Sequence, residues 1–171
     1  MKLLFILVGL LSYSIVFAQT PEENLAKLNI TLPKPSAPVA NYVNAVRTGK
    51  LIYLAGKGPI RENGQYITGK LGDSLTVEQG YEAARITGII QIGVLKDLLG
   101  DLSKVKRIVK VNGYVNSTNN FVDQPKVMNG YSDLMVQVFG ENGKHVRSAV
   151  GVGSLPNNIP VEIEMIVELK K

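Results

Sequence analysis

The chain has 171 residues, 45% of them hydrophobic, and its 19 Lys and Arg against 14 Asp and Glu give a formal net charge of +5. It has no cysteine and one histidine, which removes disulfides, thiolate metal centres and cysteine nucleophiles together. The basic residues are scattered apart from Lys104, Lys106, Arg107 and Lys110, and the few Phe and Tyr do not interleave with them; the charge reads as a solvated face, and no nucleic-acid partner is expected.

Residues 1–18 are read apart from the fold. Lys2 supplies a positive start, residues 3–11 are an apolar run, and Val16 and Ala18 are acceptable residues at the −3 and −1 positions of a cleavage site. The reading is a secretory signal peptide cut after Ala18, with the mature protein in the periplasm or outside the cell. The apolar run is shorter than the roughly 20 residues a bilayer span needs, so no membrane attachment is expected after cleavage. Removing 18 of 171 residues leaves 153, and losing Lys2 takes the charge from +5 to +4. That length is one domain with room for a sizeable core.

Residues 19–35 form an arm in which residues 22–28 suit a short helical turn, and Pro33, Pro35 and Pro38 interrupt anything longer. Residues 42–47, a Thr48-Gly49-Lys50 turn and residues 51–55 read as a hairpin. A third extended piece runs to about Ile60, and Asn63-Gly64 marks another turn. Thr76 opens a long helix, with Gln79 placed for a capping box, Glu78 at the positive helix end and Gly100 as the stop. Its expected apolar stripe is Ala83, Ile86, Ile90, Val94 and Leu98, widened by Ile89 and Leu95; Gly88 and Gly93 weaken it. Residues 105–115 form a valine-rich strand. Asp123 and Pro125 start a second helix, with Val127, Tyr131, Leu134, Met135 and Val138 at helical spacing and Gly140 as the stop.

The last stretch, residues 145–164, reads as two strands joined by a Leu-Pro-Asn-Asn turn. The second alternates, with Val161, Ile163, Met165, Val167 and Leu169 on one face and Glu162, Glu164 and Glu168 on the other. The resulting order is βββαβαββ, an α+β domain with two helices packed on one face of a mixed sheet. In the first of these strands Arg147 stands among small residues. Two readings are open: a guanidinium gripping a small organic acid through two parallel hydrogen bonds, or a surface arginine paired with one of the glutamates. His145 shares a face with Arg147 by strand parity; it tunes such a site or reads pH, or it is a strand-edge residue.

Arg147-Ser148, Val150, Leu155-Pro156 and Val161-Glu162-Ile163 together resemble the signature of the RidA (YjgF) family. The family usually has Pro-Ala or similar before the arginine, where this chain has His145-Val146. The likeness covers roughly residues 36–171. Asn41-Tyr42-Val43-Asn44-Ala45 is similar to the family's first-strand segment, and Ala55-Gly56-Lys57-Gly58-Pro59 to its Ser-Gly-Gln-x-Pro strand end. The resemblance implies a chorismate-mutase-like fold and a homotrimer with three active sites in clefts between subunits. It makes Arg147, Glu162 and Tyr42 the catalytic set, and Arg147, Tyr42, Gly56, Asn129 and Ala149 the lining of the substrate site. Ala149 stands where the family has a cysteine, and Asn129 near its helix asparagine.

What the resemblance implies about activity is hydrolysis of reactive enamines and imines, such as 2-aminoacrylate, to a 2-keto acid and ammonia. Arg147 would hold the substrate carboxylate. Glu162, if buried enough to raise its pKa, would move a proton or position the water, and Tyr42 would close the site. No metal or organic cofactor is expected. The alternatives are a non-catalytic small-carboxylate-binding module of the same fold, and plainer roles for each residue: Glu162 as one member of a solvated glutamate face, Tyr42 as a half-buried strand tyrosine. Gly56 and Gly58 alone are too weak a pattern for a nucleotide.

Overall fold

The structure is a computed structural model that describes residues 19–37 and 40–171. The signal-peptide reading and Pro38 lie outside the described residues. The elements are α1 (Pro21–Lys27), β1 (Ala45–Thr48), β2 (Leu51–Lys57), α2 (Val77–Leu99), β3 (Val105–Asn116), α3 (Gln124–Phe139), β4 (Val146–Val152) and β5 (Val161–Leu169), with short 3-10 turns after α2, after α3 and before β5. No described helix is long and apolar enough to cross a membrane.

The α+β class and the mixed sheet stand as expected, and local chemistry explains why. Thr76 Oγ1 accepts the Gln79 N–H at 3.3 Å while Gln79 Oε1 accepts the Thr76 N–H at 2.9 Å, so both bonds of the capping box form. Gly100 ends α2 in the left-handed region at φ 70°, which favours glycine. Gly49 takes φ 58° in the turn between β1 and β2. The alternation of β5 is complete: every odd residue from Val161 to Leu169 is buried and every even one half-buried.

Two expectations need correction. The extended piece reaching Ile60 forms only an isolated bridge, Ile60 to Tyr66, so the sheet has five strands and two precede α2. A register shift between Leu54 and Lys57 bends β2 away from β5 before that point. The short helical turn expected in the arm is present as α1, whose seven residues are too few to be stable alone. Helix α1 has its own capping box at Thr20, a buried Leu25, and the Asn24 amide donating to the Val138 carbonyl at 2.9 Å. Glu22 pairs with Lys96 at 2.8 Å and accepts the Leu102 N–H at 2.8 Å. Burial pushes the Glu22 carboxyl up, but these partners outweigh it and hold it below the usual carboxylate range.

The second correction concerns the buried side of α2. Ile86, Ile89 and Ile90 are only half-buried and Leu98 is exposed, whereas Gly80, Ala84, Thr87, Gly88 and Gln91 are buried. The glycines decide this. A Cβ at Gly80 would meet Val127, one at Gly88 would meet Leu134, and α3's Gly130 lies so close to Tyr81 that a Cβ would strike its carbonyl. The two helices therefore pack backbone against backbone. Gly93 is equally committed, with the Pro33 carbonyl 2.7 Å from where its Cβ would be.

The strand order is β1-β2-β5-β3-β4, antiparallel throughout except for β3 and β4, which run parallel because α3 carries the chain across between them. Under the helices the core includes Ile52, Val111, Ile163, Met165, Leu95 and Tyr131. Burying each such side chain stabilises the fold by roughly 1.5–3 kcal/mol. One polar network runs through this core. Tyr131 donates its hydroxyl to Gln91, and the Gln91 amide donates to the carbonyls of Ile163 at 2.6 Å and Ala55 at 3.2 Å, where the β2–β5 register shifts. The opposite face of the sheet carries exposed Val46, Tyr53 and Val150 alongside the half-buried glutamates of β5.

Candidate functional site

The two strands of the arginine stretch are not neighbours. β3 lies between β4 and β5. In register, Arg147 pairs with Val111, which pairs with Met165; these partners share the helix-covered face. Glu162 pairs with Tyr114, which pairs with Val150 on the opposite face. A single chain therefore separates Arg147 from Glu162 by the thickness of the sheet, by two strand spacings of roughly 5 Å each, and by three residues along the strands.

Arg147 is built against α3. The tight connection from α3 to β4 depends on Gly143, where a Cβ would strike the Met135 backbone. This brings His145, Arg147 and Ala149 beneath α3, and all three are half-buried while Val146, Ser148 and Val150 are exposed. Arg147 Nη1 donates to Asn129 Oδ1 at 3.1 Å and to Ser132 Oγ at 2.9 Å, and Nη2 donates to the Pro125 carbonyl at 3.4 Å. Asn129 and Ser132 are three apart and so share one helix face. These contacts use both Nη1 hydrogens and one on Nη2. Among the described residues Nε has no acceptor, so the Nε–H and one Nη2–H remain, donors of the kind that take a carboxylate. Burial pushes the guanidinium's pKa down and Asp133 draws it back up, and it stays charged at any physiological pH.

Glu162 and Gly56 meet at the other half of the sheet. The β2 bulge brings Gly56 so close to Glu162 that a Cβ there would collide with its carboxylate. The three glutamates of β5 differ in what they touch. Glu164 accepts from Asn112 at 2.7 Å and from Tyr114 at 3.3 Å, and Glu168 pairs with Lys106 at 2.7 Å and with Arg107 at 3.6 Å. Glu162 has no hydrogen-bond or ion-pair partner among the described residues. Tyr42 is 50% exposed just before β1. The segment carrying it is tied down by Lys57, whose Nζ donates to Asn44 Oδ1 at 2.6 Å, and by Asn44, which donates to the Ser36 carbonyl at 3.0 Å. Burial holds the Lys57 ammonium below its usual pKa.

The structure thus gathers Arg147, Asn129 and Ala149 in one place and Glu162 and Gly56 in another, while Tyr42 stands exposed before β1. It also places Ser132 on the guanidinium, which sequence reasoning missed; its only signal was a polar residue three positions after Asn129. Among the described residues no three His, Asp or Glu side chains group as metal ligands.

A model of the family described as "YjgF/chorismate mutase-like, putative endoribonuclease" matches residues 22–169. The chain belongs to the RidA/YjgF family. Among the relatives of this RidA/YjgF chain is Protein TCP17 of Trypanosoma cruzi, 44% identical over 157 residues, covering 91% of this chain and 98% of the relative. A 2-iminobutanoate/2-iminopropanoate deaminase of Dermatophagoides farinae is 28% identical over 142 residues, covering 82% and 95%. A crystal structure of an Agrobacterium tumefaciens protein of unknown function superposes with a TM-score of 0.80 at 40% identity, covering 88% of this chain and 92% of that one. The RidA/YjgF match spans the arginine strand, α3 and the glutamate strand together.

Proposed function

We propose that the protein hydrolyses small enamines and imines that carry a carboxylate, of the 2-aminoacrylate type, releasing a 2-keto acid and ammonia. The observation that carries this reading is Arg147, braced on α3 with Nε–H and one Nη2–H unused among the described residues. The Dermatophagoides farinae relative's name supports the same chemistry. In this reading the guanidinium holds the substrate carboxylate and fixes the C=N carbon in place. The enamine first tautomerises to the imine. Water then adds to the imine carbon as the nitrogen takes a proton, and collapse of the carbinolamine expels ammonia and leaves the ketone. Glu162, unpaired among the described residues, is the group that accepts and returns the protons. Tyr42 covers the bound substrate.

Because Arg147 and Glu162 lie on opposite faces of one sheet, the complete site takes its arginine half from one copy and its Tyr42–Gly56–Glu162 half from another. The exposed face of the sheet suits such an assembly, which we take to be a homotrimer. Its location follows the signal-peptide reading, outside the cytoplasm, where oxidation of amino acids would supply the imine. A second reading, carboxylate binding without turnover, draws on the same separation: one chain alone has its anion site on one face of the sheet and its acid–base group on the other.

The test generates 2-imino acids in situ with an amino-acid oxidase and follows ammonia and keto acid. Acceleration by the wild-type protein, and none for imines made from simple amines that lack the carboxylate, is the expected result. No acceleration across small, branched and aromatic side chains would leave the binding module as the function. Within this reading, Gly56→Ala is a sharp probe. The added methyl displaces the flexible end of Glu162 and no backbone, so thermal stability should hardly change. A misplacement of about 1 Å in such a group costs on the order of 10²-fold in rate. Unchanged turnover in that variant would remove Glu162 from the chemistry.

A further inference from the structure

Behind Arg147 lies a chain of hydrogen bonds that the reaction does not use. His145 Nδ1 is 2.7 Å from the Gly143 carbonyl, and His145 Nε2 is 3.1 Å from Ser132 Oγ, the same oxygen that accepts from Arg147 Nη1 at 2.9 Å. A carbonyl can only accept, so Nδ1 carries the hydrogen. In the neutral ring Nε2 is then bare and accepts the Ser132 hydroxyl hydrogen, while the Ser132 oxygen accepts from the guanidinium. Every donor has an acceptor in that one arrangement, running Arg147 to Ser132 to His145 to Gly143.

We propose that His145 is a positioning residue for Arg147, acting through Ser132, and that the affinity of the anion site follows the protonation of His145. This rests on the reading of Arg147 as a carboxylate site. When Nε2 gains a proton the arrangement cannot persist. The ring turns from acceptor to donor, so the Ser132 hydroxyl hydrogen loses its acceptor and imidazolium and guanidinium share one oxygen. Repulsion between the two cations weakens one of the two contacts that hold Nη1.

The groups around the ring agree with this. On β4 it faces Arg147, whose charge opposes a second cation. On α3 it meets Ser132, beside Asp133, which accepts from Tyr81 at 2.9 Å. On the connector it meets the Gly143 carbonyl, while Lys144 and Glu141 pair with each other at 2.9 Å. On β3, Lys110 is in register with Val146 and so points to the other face. Burial and Arg147 push the His145 pKa down, against the pull of the Gly143 carbonyl. The ring is therefore neutral and the brace intact at neutral pH. The brace is lost as pH falls below the ordinary histidine range.

His145 is the chain's single histidine, so nitrogen-15 NMR of the imidazole reports on it without ambiguity. The expected result is the Nδ1–H tautomer at neutral pH, with a titration displaced to the acid side of a free histidine. Pyruvate, a stable 2-keto acid, is then titrated by calorimetry between about pH 5 and pH 8, the range over which histidine changes charge. Wild type should lose roughly tenfold in affinity along the same titration, the scale of one charge-assisted hydrogen bond. His145→Gln, which keeps an acceptor for Ser132 and does not titrate, should bind at every pH as wild type does at neutral pH. Ser132→Ala should bind more weakly and without that pH dependence. An Nε2–H tautomer, or an acid loss that persists in His145→Gln, overturns the brace. Absence of pyruvate binding at every pH overturns the carboxylate site itself and with it the pH-dependent affinity.

Discussion

Replacing Arg147 with alanine is expected to reduce kcat/KM for imino-acid hydrolysis by at least about 10²-fold while leaving the fold intact. The reduction follows from the number of bonds lost. Two charge-assisted hydrogen bonds at roughly 1.5–3 kcal/mol each fix both the affinity and the direction of the substrate, and each 1.4 kcal/mol is about tenfold. The fold survives because the groups Arg147 leaves behind are at the surface: Asn129 is exposed, and the Ser132 hydroxyl still has His145. Arg147→Lys should recover only part of the loss. An ammonium keeps the charge but not the planar fork, and it cannot hold Asn129, Ser132 and a carboxylate in one plane. Steady-state kinetics on both variants, with pyruvate affinity and thermal melts beside them, separates the cases. Activity within a few-fold of wild type in Arg147→Ala would return that residue to an ordinary place on the strand surface.

Gly130→Ala is expected to carry the largest cost to stability. Alanine favours a helix over glycine by about 1 kcal/mol, so local propensity alone predicts a gain. The packing predicts the reverse. The new methyl would strike the Tyr81 carbonyl, which is backbone and has no rotamer to change. Neither helix is free to slide away, since Gln91 ties α2 to β2 and β5 and Tyr131 ties α3 to Gln91. Overpacking of this kind costs typically 1–3 kcal/mol and sometimes more; a clash with backbone puts the cost at the upper end, so after the propensity gain a net loss of about 2 kcal/mol is expected. For a chain of this size that is a fall of roughly 4–8 °C in melting temperature. Gly153→Ala, whose methyl would meet nothing within 4 Å, should stay within about 0.5 kcal/mol of wild type. A Gly130→Ala protein that melts at or above wild type would mean the helices part freely. Asn129 adjoins Gly130, so any shift that accommodates the methyl also moves a contact of Arg147.

Much of the fold was legible in the sequence because the signals were local. The Thr76–Gln79 box and Gly100 mark α2 to the residue, since capping involves groups within one turn. The alternation of β5 named its buried face correctly, because side chains of a strand must alternate. Arg147, Glu162, Tyr42, Gly56, Asn129 and Ala149 were all named through the family resemblance; the structure sets Arg147 on Asn129 and Gly56 against Glu162.

The tertiary structure decided what depends on partners far away in the chain. Helix α2 is apolar around most of its circumference, so periodicity could not say which side is buried. Gly80, Ala84 and Gly88 settled it, because only that side lets α3 approach to backbone contact. The same approach buries Thr87 and Gln91, whose polar groups find acceptors in the Ala83 carbonyl and in the sheet. Seven residues of the arm become a helix only because α3, Lys96 and the Leu102 amide receive them. Strand order was not legible in the sequence. A strand–turn–strand pattern leaves the pairing open, and β5 passes β4 and pairs with β3 and β2. That insertion puts Arg147 and Glu162 on opposite faces, a relation no residue spacing encodes, because pairing partners are chosen by the burial of whole faces and not by proximity in sequence.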